Sequence, residues 1–597
     1  MRSLVKNIKN VIFLTKNYWK YGKLYIVISL IISVFVIPAS TLANILYTQT
    51  IIDSVVAGAA FEEVLMTIFL FIIILVGAIV IQSIFNTYGE PVVVKIHQKI
   101  NKEIYDKALK TDYKYYDDPD FYDNYTWAIN EFAAKSEEAK NLFINVCHSI
   151  STVISMLAVI LLLGPWIVVI TILQLVLVTN IEMKRNKIYI NRQEKIMPLD
   201  RKLNYVQRIS YQREYAADLK STNLSGFING IYDTSGDGKI SIIKNFRRSI
   251  IMWLSVQNFL AIFYNALIMG YIAYSIIVSK TIIGVGKFAG LLAANNQLFA
   301  SLNGFFGFFS QAANISLYVE KIKPFFEARS PIETDSPGSD SKREYAPEGL
   351  LDICFKNVSF SYANSDFSLK DVNLLINAGE KIAIVGENGV GKTTLVKLLL
   401  RLYDVTKGEI LVNGIPIDQY DVKSLRSKIG VAFQNSNIYA ISLADNLQMY
   451  GSADNEKLAE IIEKISLGGV LEKSNADITT ELTKEFSNEG IMLSVGEIQK
   501  IALGRILLKD FGLLLLDEPS SALDPIAEYE LMKMIYDKSN MGTSIIIAHR
   551  LSTVRDADRI YVMDDGSVIE AGNHDELIKS KGKYYEMFSK QSENYIK

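Results

Sequence analysis

Apolar and polar positions change their spacing along this chain of 597 residues, and the change divides it near residue 320. Before that point six apolar runs, roughly 24–48, 64–88, 141–163, 165–183, 250–279 and 283–315, each approach or exceed the ~20 residues that carry a helix across a bilayer. The last two are long enough to project beyond the lipid. Residues 321–348 contain Ser330-Pro331, the polar run from Asp335 to Asp340 and Pro347, the composition of a linker. From 349 onward, short apolar runs alternate with charged stretches, as in a soluble α/β domain. The pattern predicts a multi-domain chain: an all-α, six-helix transmembrane domain over 1–320, a linker over 321–348 and an α/β domain over 349–597.

Charge gives this division an orientation. Arg2, Lys6, Lys9, Lys16, Lys20 and Lys23 precede the first run, and the connections 89–140 and 184–248 are rich in Lys and Arg. The connection between the first two runs holds Asp53, Glu62 and Glu63 without a Lys or Arg, and Gly164-Pro165-Trp166 makes a very short turn. By the positive-inside rule the basic segments are cytoplasmic, so a multi-pass protein of the cell membrane with both termini in the cytoplasm is expected. The first apolar run lacks an A-x-A-like cleavage site and is long enough to span, so it reads as a retained helix, not a signal peptide. A net charge of −2 offers no basic face for nucleic acid. Two cysteines, Cys147 and Cys354, fall in different halves without ligand spacing, which suggests neither a disulfide framework nor a zinc site.

The second half carries the chemistry. A strand, Lys381 to Val385, runs into Gly386-Glu387-Asn388-Gly389-Val390-Gly391-Lys392-Thr393-Thr394 and then an amphipathic helix, which is a P-loop in its strand–loop–helix context. The glycines let backbone N–H groups curl round phosphates, Lys392 can reach the β and γ oxygens, and Thr393 can hold Mg²⁺. Downstream, Leu513 to Glu518 is a buried strand ending in two carboxylates, as in the Walker B motif, in which Asp517 would bind Mg²⁺, directly or through water, and Glu518 would polarise the attacking water as general base. Tyr362 is placed to stack on adenine, with packing in its own strand as the alternative.

Leu493-Ser494-Val495-Gly496-Glu497, followed by Ile498-Gln499-Lys500, resembles the signature motif (LSGGQ) of ABC transporters. The order of the other motifs resembles that family as well, and the resemblance to its exporter-type (type IV) half-transporters covers nearly the whole chain. It implies several roles. Gln434, in Ala432-Phe433-Gln434-Asn435, is the Q-loop glutamine that reaches Mg²⁺ and water; His549, at the end of the strand Thr543 to Ala548, is the switch histidine. Ser521 and Asp524 belong to the D-loop, while Ser494, Val495, Gly496 and Glu497 would complete the ATP site of a partner subunit. The resemblance also implies ATP and Mg²⁺ as cofactors, an ATPase coupled to transport, and a second half-transporter as partner. Tyr115 to Asp123 looks like the approach to a first coupling helix and Arg213 to Lys220 like a second. Asn488-Glu489-Gly490, just before the signature, lies where exporters carry a segment that touches such helices.

Two patterns bear on what is moved. The sixth run holds Asn295, Asn296, Gln297, Asn303 and Gln311 among Phe299, Phe305, Phe306, Phe308 and Phe309. Amides in a spanning helix need partners, either in a wet cavity suited to an amphipathic substrate such as a peptide, or on neighbouring helices. Thr483 to Lys500 and Asp524 to Glu528 resemble bacterial peptide and bacteriocin exporters. Export of an amphipathic molecule, a peptide first, is therefore expected; drug or lipid export and a non-transporting ATP-gated regulator are the alternatives. Asp233, Ser235, Asp237 and Gly238 follow the first half of a calcium-binding loop, but Lys244 stands where a bidentate glutamate is needed, so a turn is expected there. The signature departs from the family pattern at Val495, usually glycine, and Glu497, usually glutamine. Both changes should weaken the site the loop completes, which implies a heterodimer of unequal ATP sites, with a homodimer that tolerates them as the alternative.

Overall fold

The computed structural model describes residues 2–163, 165–277, 285–328, 330–334, 344–362, 368–519, 523, 526, 528–530, 533, 542–548 and 550–593. The chain forms two compact units: residues up to Leu109 with Pro119–Ala328, and Lys110–Asp118 with the chain after Ala328. The first is helical and the second is α/β, the expected fold class.

Among the described residues, eight helices build the first unit: α1 (Arg2–Ile31), α2 (Ile37–Val56), α3 (Phe61–Leu109), α4 (Pro119–Leu163), α5 (Pro165–Tyr211), α6 (Arg213–Ser221), α7 (Leu224–Ile277) and α8 (Val285–Glu327). A π-helical turn, Ile32–Val36, joins α1 to α2. Pro38 explains it, because it has no N–H for the carbonyl of Val34, and side chains from α4 supply the missing donors. Ser151 Oγ donates to Val34 O at 2.6 Å, and His148 Nδ1 lies 2.9 Å from Ser33 O. Among the described residues, Val5–Val56, Phe61–Leu109, Asn124–Leu161 and Leu224–Tyr271 are long and apolar enough to cross a membrane. α8 falls short of that measure because of its amides, and it is instead the helix most enclosed by others. Leu291, Ala294, Leu298, Leu302 and Phe306 pack with Ile45 of α2, Met156 and Ile160 of α4 and Ile268 of α7.

Two expectations change here. Asp233, Ser235, Asp237 and Gly238 lie inside α7 and form no turn. The local pattern gives way to packing along α5: a Cβ on Gly238 would meet Leu199 Cδ1 at 3.3 Å, and Lys239 Nζ pairs with Asp200 at 2.7 Å. α8 also continues to Glu327, into the stretch read as linker, because Ile322 and Phe325 are fully buried and Phe325 meets Phe121 and Tyr125 of α4. The polar run 335–340 lies outside the described residues.

Among its described residues the second unit holds ten strands: β1 (Ile353–Ser361), β2 (Ser368–Ile376), β3 (Lys381–Gly386), β4 (Lys407–Val412), β5 (Ile415–Pro416), β6 (Ile429–Ala432), β7 (Leu513–Asp517), β8 (Thr543–Ile547), β9 (Arg559–Asp564) and β10 (Ser567–Gly572). One sheet has the order β2-β1-β4-β5 and is antiparallel; the other runs β10-β9-β3-β8-β7-β6 and is parallel except for its β9–β10 edge. The two-residue period of a strand divides its core. Ala383, Val385, Leu514, Leu516 and Ile546 face one apolar cluster, whereas Ile382, Ile384, Leu513, Leu515, Ile545 and Ile547 face the other. Strands buried on both faces read as unbroken apolar runs, which is why β3, β7 and β8 are visible in the sequence.

Candidate functional site

The site forms where β3 and β7 end. β3 delivers the loop Gly386 to Gly391, and the helix Lys392–Leu399 follows. Glycine is required at two of its positions for different reasons. A Cβ on Gly386 would lie 2.4 Å from Met563 O, and Gly391 caps the helix with φ +104°, a conformation L side chains rarely adopt. That helix begins without a side-chain cap, so its first N–H groups are satisfied by no side chain at the N-cap position. Lys392 is buried, and its ammonium donates to Gly386 O at 2.8 Å and Glu387 O at 2.9 Å, which holds the charge inside the loop. Burial pushes its pKa down, while the nearby carboxylates of Glu518 and Asp517 push it back up. Glu387, Asn388, Gly389 and Thr393 are exposed, whereas Val390 and Thr394 turn into the protein.

Asp517 closes β7 with 1 % exposure, and Glu518 follows at φ +49°. A left-handed glutamate is uncommon, and backbone strain of this kind persists where the surroundings fix it. Here Glu518 N donates to Ile547 O at 3.0 Å, and Gln434 Nε2 donates to Glu518 Oε2 at 2.7 Å. Gln434 and Glu518, 84 positions apart, are thus brought together. Thr393, Asp517 and Gln434 carry oxygen donors of the kind that suit a hard cation, and no cluster of three or more His, Cys, Asp or Glu that could hold a metal alone occurs among the described residues. His549, Ser521 and Asp524 lie outside the described residues.

Tyr362 follows β1 and is half-buried. Its hydroxyl is 3.2 Å from Thr394 Oγ1, and its ring stands nearly perpendicular to those of Phe360 and Tyr403 at 4.9 and 5.3 Å.

The signature segment opens the helix Val495–Leu507. Ser494 is its N-cap: Ser494 Oγ accepts from Glu497 N at 3.3 Å, and Glu497 Oε2 accepts from Ser494 N at 2.7 Å. This is a reciprocal capping box, so the carboxylate turns back onto the helix start. Val495 is 67 % exposed. Sequence reasoning missed what holds this helix in place. Arg505 Nε donates to Asn446 O at 2.8 Å, and Arg505 Nη2 donates to Asn437 O at 3.0 Å, in the segment that follows Gln434. Asn446, fully buried, bonds back to Tyr439 and Ile441. An arginine among Ile501, Leu503 and Ile506 was the available signal, because a buried guanidinium needs partners.

In the helical unit, amides of α7 and α8 pair. Asn295 Nδ2 donates to Asn265 Oδ1 at 2.9 Å, Gln257 Nε2 donates to Asn303 Oδ1 at 3.1 Å, and Arg185 links Gln257 to Glu182. Phe306 and Phe309 line a cavity of about 680 Å³ together with Met183, Asn186, Lys187 and Glu194 of α5. Of the two sequence readings of the sixth run, interhelical bonding is the one seen for Asn295 and Asn303, and of its phenyl rings Phe306 and Phe309 border the cavity, whose lining includes none of the five amides.

Comparison with known proteins places these features. Residues 369–521 match the family model described as ABC transporter. The subtilin transport ATP-binding protein SpaT of Bacillus subtilis is 29 % identical, with 99 % of this chain and 96 % of that protein covered. A beta-(1→2)glucan export ATP-binding/permease protein of Rhizobium johnstonii is 40 % identical over 43 % of this chain and 45 % of its own length. The ATP-dependent lipid A-core flippase of Escherichia coli is 35 % identical over 40 % and 41 %. The chain thus spans nearly all of the first relative and less than half of the other two. A solved structure of a bacterial Atm1-family ABC exporter with ATP bound shares the fold, with TM-score 0.79, 22 % identity and coverage of 95 % of this chain and 98 % of that one.

Proposed function

The chain belongs to the ABC transporters, as an exporter-type half-transporter with membrane and ATPase parts in one polypeptide, and from that premise we propose that it exports an amphipathic molecule, a peptide first, by alternating access. ATP hydrolysis coupled to transport is its activity, and proteins of its kind act as dimers of half-transporters. The observation that carries the substrate class is the cavity of about 680 Å³, in which Phe306, Phe309 and Met183 stand beside Asn186, Lys187 and Glu194. A wall of that chemistry suits a ligand with apolar side chains and hydrogen-bonding backbone. The full-length similarity to a subtilin transport protein supports the same class.

In this reading Lys392 and the backbone from Glu387 to Thr394 cradle the phosphates, and Tyr362 stacks on the base. Thr393, Asp517 and Gln434 would hold Mg²⁺, which when bound would supply charge neutralisation to the phosphates. Glu518, oriented by Gln434, takes the proton of the attacking water. By resemblance His549 takes the role of the switch histidine for the γ-phosphate, and Ser521 and Asp524 that of the D-loop. Ser494 and Gly496 present a hydroxyl and a bare backbone to the partner's ATP, with Val495 and Glu497 beside them. ATP closes the dimer because it binds the closed state more tightly than the open one, and the segments around Tyr115–Asp123 and Arg213–Lys220 pass that closure to the helices. The membrane is the cytoplasmic one with both termini inside, by the sorting of basic residues. The partner is a non-identical half-transporter whose signature serves the P-loop of this chain.

Reconstitution in sealed proteoliposomes with a panel of peptides, drugs and lipids tests this reading. ATP-dependent flux of peptides is expected. Flux of lipids or drugs alone would replace the substrate class, and no flux of any compound alongside intact ATPase would favour a regulatory subunit.

A further inference from the structure

The segment Lys110–Asp118 joins α3 to α4, yet it packs within the ATPase unit. It is pinned there twice. At one end Asp112, fully buried, accepts from Glu333 N at 3.1 Å, and Asp112 N donates to Ser330 Oγ at 3.2 Å. Glu333 in turn holds Arg426 Nη1 at 2.7 Å, and Arg426 donates to the carbonyls of Leu400 and Arg401, immediately after the P-loop helix. At the other end the Tyr403 hydroxyl donates to the carboxylate of Asp117, and the Tyr113 ring meets Tyr403 edge-on at 5.7 Å.

Tyr403 has a second neighbour of consequence, Tyr362. Their rings are 5.3 Å apart at 89°, and Phe360 closes the group at 5.3 Å from Tyr403. The Lys397 ammonium, on the P-loop helix, lies 5.3, 5.6 and 5.8 Å from the ring centres of Tyr113, Tyr362 and Tyr403. Perpendicular rings in contact around one cation cannot turn independently, so a base that fixes Tyr362 also restricts Tyr403 and, through it, Tyr113 and Asp117.

We propose that Tyr403 is a positioning residue that couples base recognition at Tyr362 to the segment Lys110–Asp118, so that the nucleobase, and not the phosphates alone, tightens the connection between α3 and α4. This rests on the reading of Tyr362 as the base platform. Its consequence is that a ligand with three phosphates and no base closes the P-loop without ordering the segment.

The test is hydrogen–deuterium exchange on the full chain in nanodiscs with saturating Mg-ATP or Mg-tripolyphosphate, where slowed exchange of the P-loop helix reports that each ligand is bound. ATP is expected to slow exchange across 110–118 more than tripolyphosphate does. Tyr403→Leu, which keeps apolar volume, should abolish that difference and raise KM for ATP about three- to tenfold, the loss of one aromatic pair, with kcat little changed. Tyr403→Phe should restore KM, because the ring returns. Equal slowing by both ligands, or a difference that persists in Tyr403→Leu, overturns the inference while leaving the base platform intact, provided Tyr362→Ala weakens ATP binding. Unchanged ATP affinity in Tyr362→Ala overturns the platform and the inference together.

Discussion

The two helices proposed to face phosphate begin in opposite ways. The P-loop helix Lys392–Leu399 starts from a left-handed glycine, has no side-chain cap and carries a lysine at its first position. The signature helix Val495–Leu507 starts from a serine whose own oxygen and backbone N–H are both engaged with Glu497. They also lie on different faces of the sheet: Leu395 and Leu399 belong to the cluster that contains Ile384, and Ile501 and Ile506 to the cluster that contains Val385. A helix N-terminus attracts anions through its unsatisfied N–H groups and its dipole. The first helix leaves that attraction to a ligand and adds a cation. The second spends part of it on its own carboxylate. The difference teaches that a signature altered in sequence can be a stable helix start that is weaker as an anion site, with asymmetry built into one chain.

The largest expected effects fall on the P-loop side. Glu518→Gln should lower ATP hydrolysis by about 10²–10⁴-fold, the usual worth of general-base catalysis, and leave ATP affinity within about twofold. Turnover assays beside nucleotide binding under non-hydrolysing conditions check this, and unchanged hydrolysis would remove Glu518 from the catalytic role. Lys392→Ala should weaken ATP binding by about 10–100-fold, since hydrogen bonds to charged groups are worth about 1.5–3 kcal/mol. Equilibrium binding of a fluorescent ATP analogue measures it. Normal affinity would mean that the lysine serves only the two loop carbonyls it already meets.

How much of this was legible depended on whether the cause was local. The P-loop and the end of β7 follow from short-range rules, glycines where no Cβ fits and an unbroken apolar run before two carboxylates, so Gly386, Lys392 and Asp517 could be marked from sequence. The Gln434–Glu518 bond could be anticipated only through resemblance, because no spacing rule joins residues 84 apart. Asp233 to Gly238 misled because half of a loop motif was read locally, while the helix there is decided by Leu199 and Asp200 on α5. The contact of Asp117 with Tyr403 spans 286 positions and follows from no spacing rule; the resemblance marked only the segment Tyr115–Asp123, not the pair. Ser494 and Glu497 show the reverse case: their three-residue spacing is the capping-box pattern, visible throughout but overshadowed by comparison with glutamine.

Smaller effects sharpen the signature side. Val495→Gly removes an exposed β-branched side chain from the first helical position, where a phosphate must approach the backbone closely. Steady-state ATPase of the assembled dimer should rise about two- to fivefold, with a helix cost of no more than about 1 kcal/mol, the glycine penalty in a helix interior. No rise would mean that valine does not limit this site and would leave the unequal-sites reading without its main support.

The smallest effect is expected for Glu497→Gln, although it restores the residue the family prefers. A glutamine amide oxygen can accept from Ser494 N as the carboxylate does, so the capping box survives. What changes is charge. The helix loses a favourable interaction of about 0.3–1 kcal/mol between the carboxylate and its N-terminus, and the phosphate loses a repulsion already reduced by the carboxylate's engagement with Ser494. These terms oppose each other across folding and binding, so ATPase should change by less than about threefold and thermal stability should fall slightly. A tenfold or greater gain in rate would show that Glu497 leaves the cap and points at the nucleotide, and the contrast between the two helix starts would then be one of charge alone.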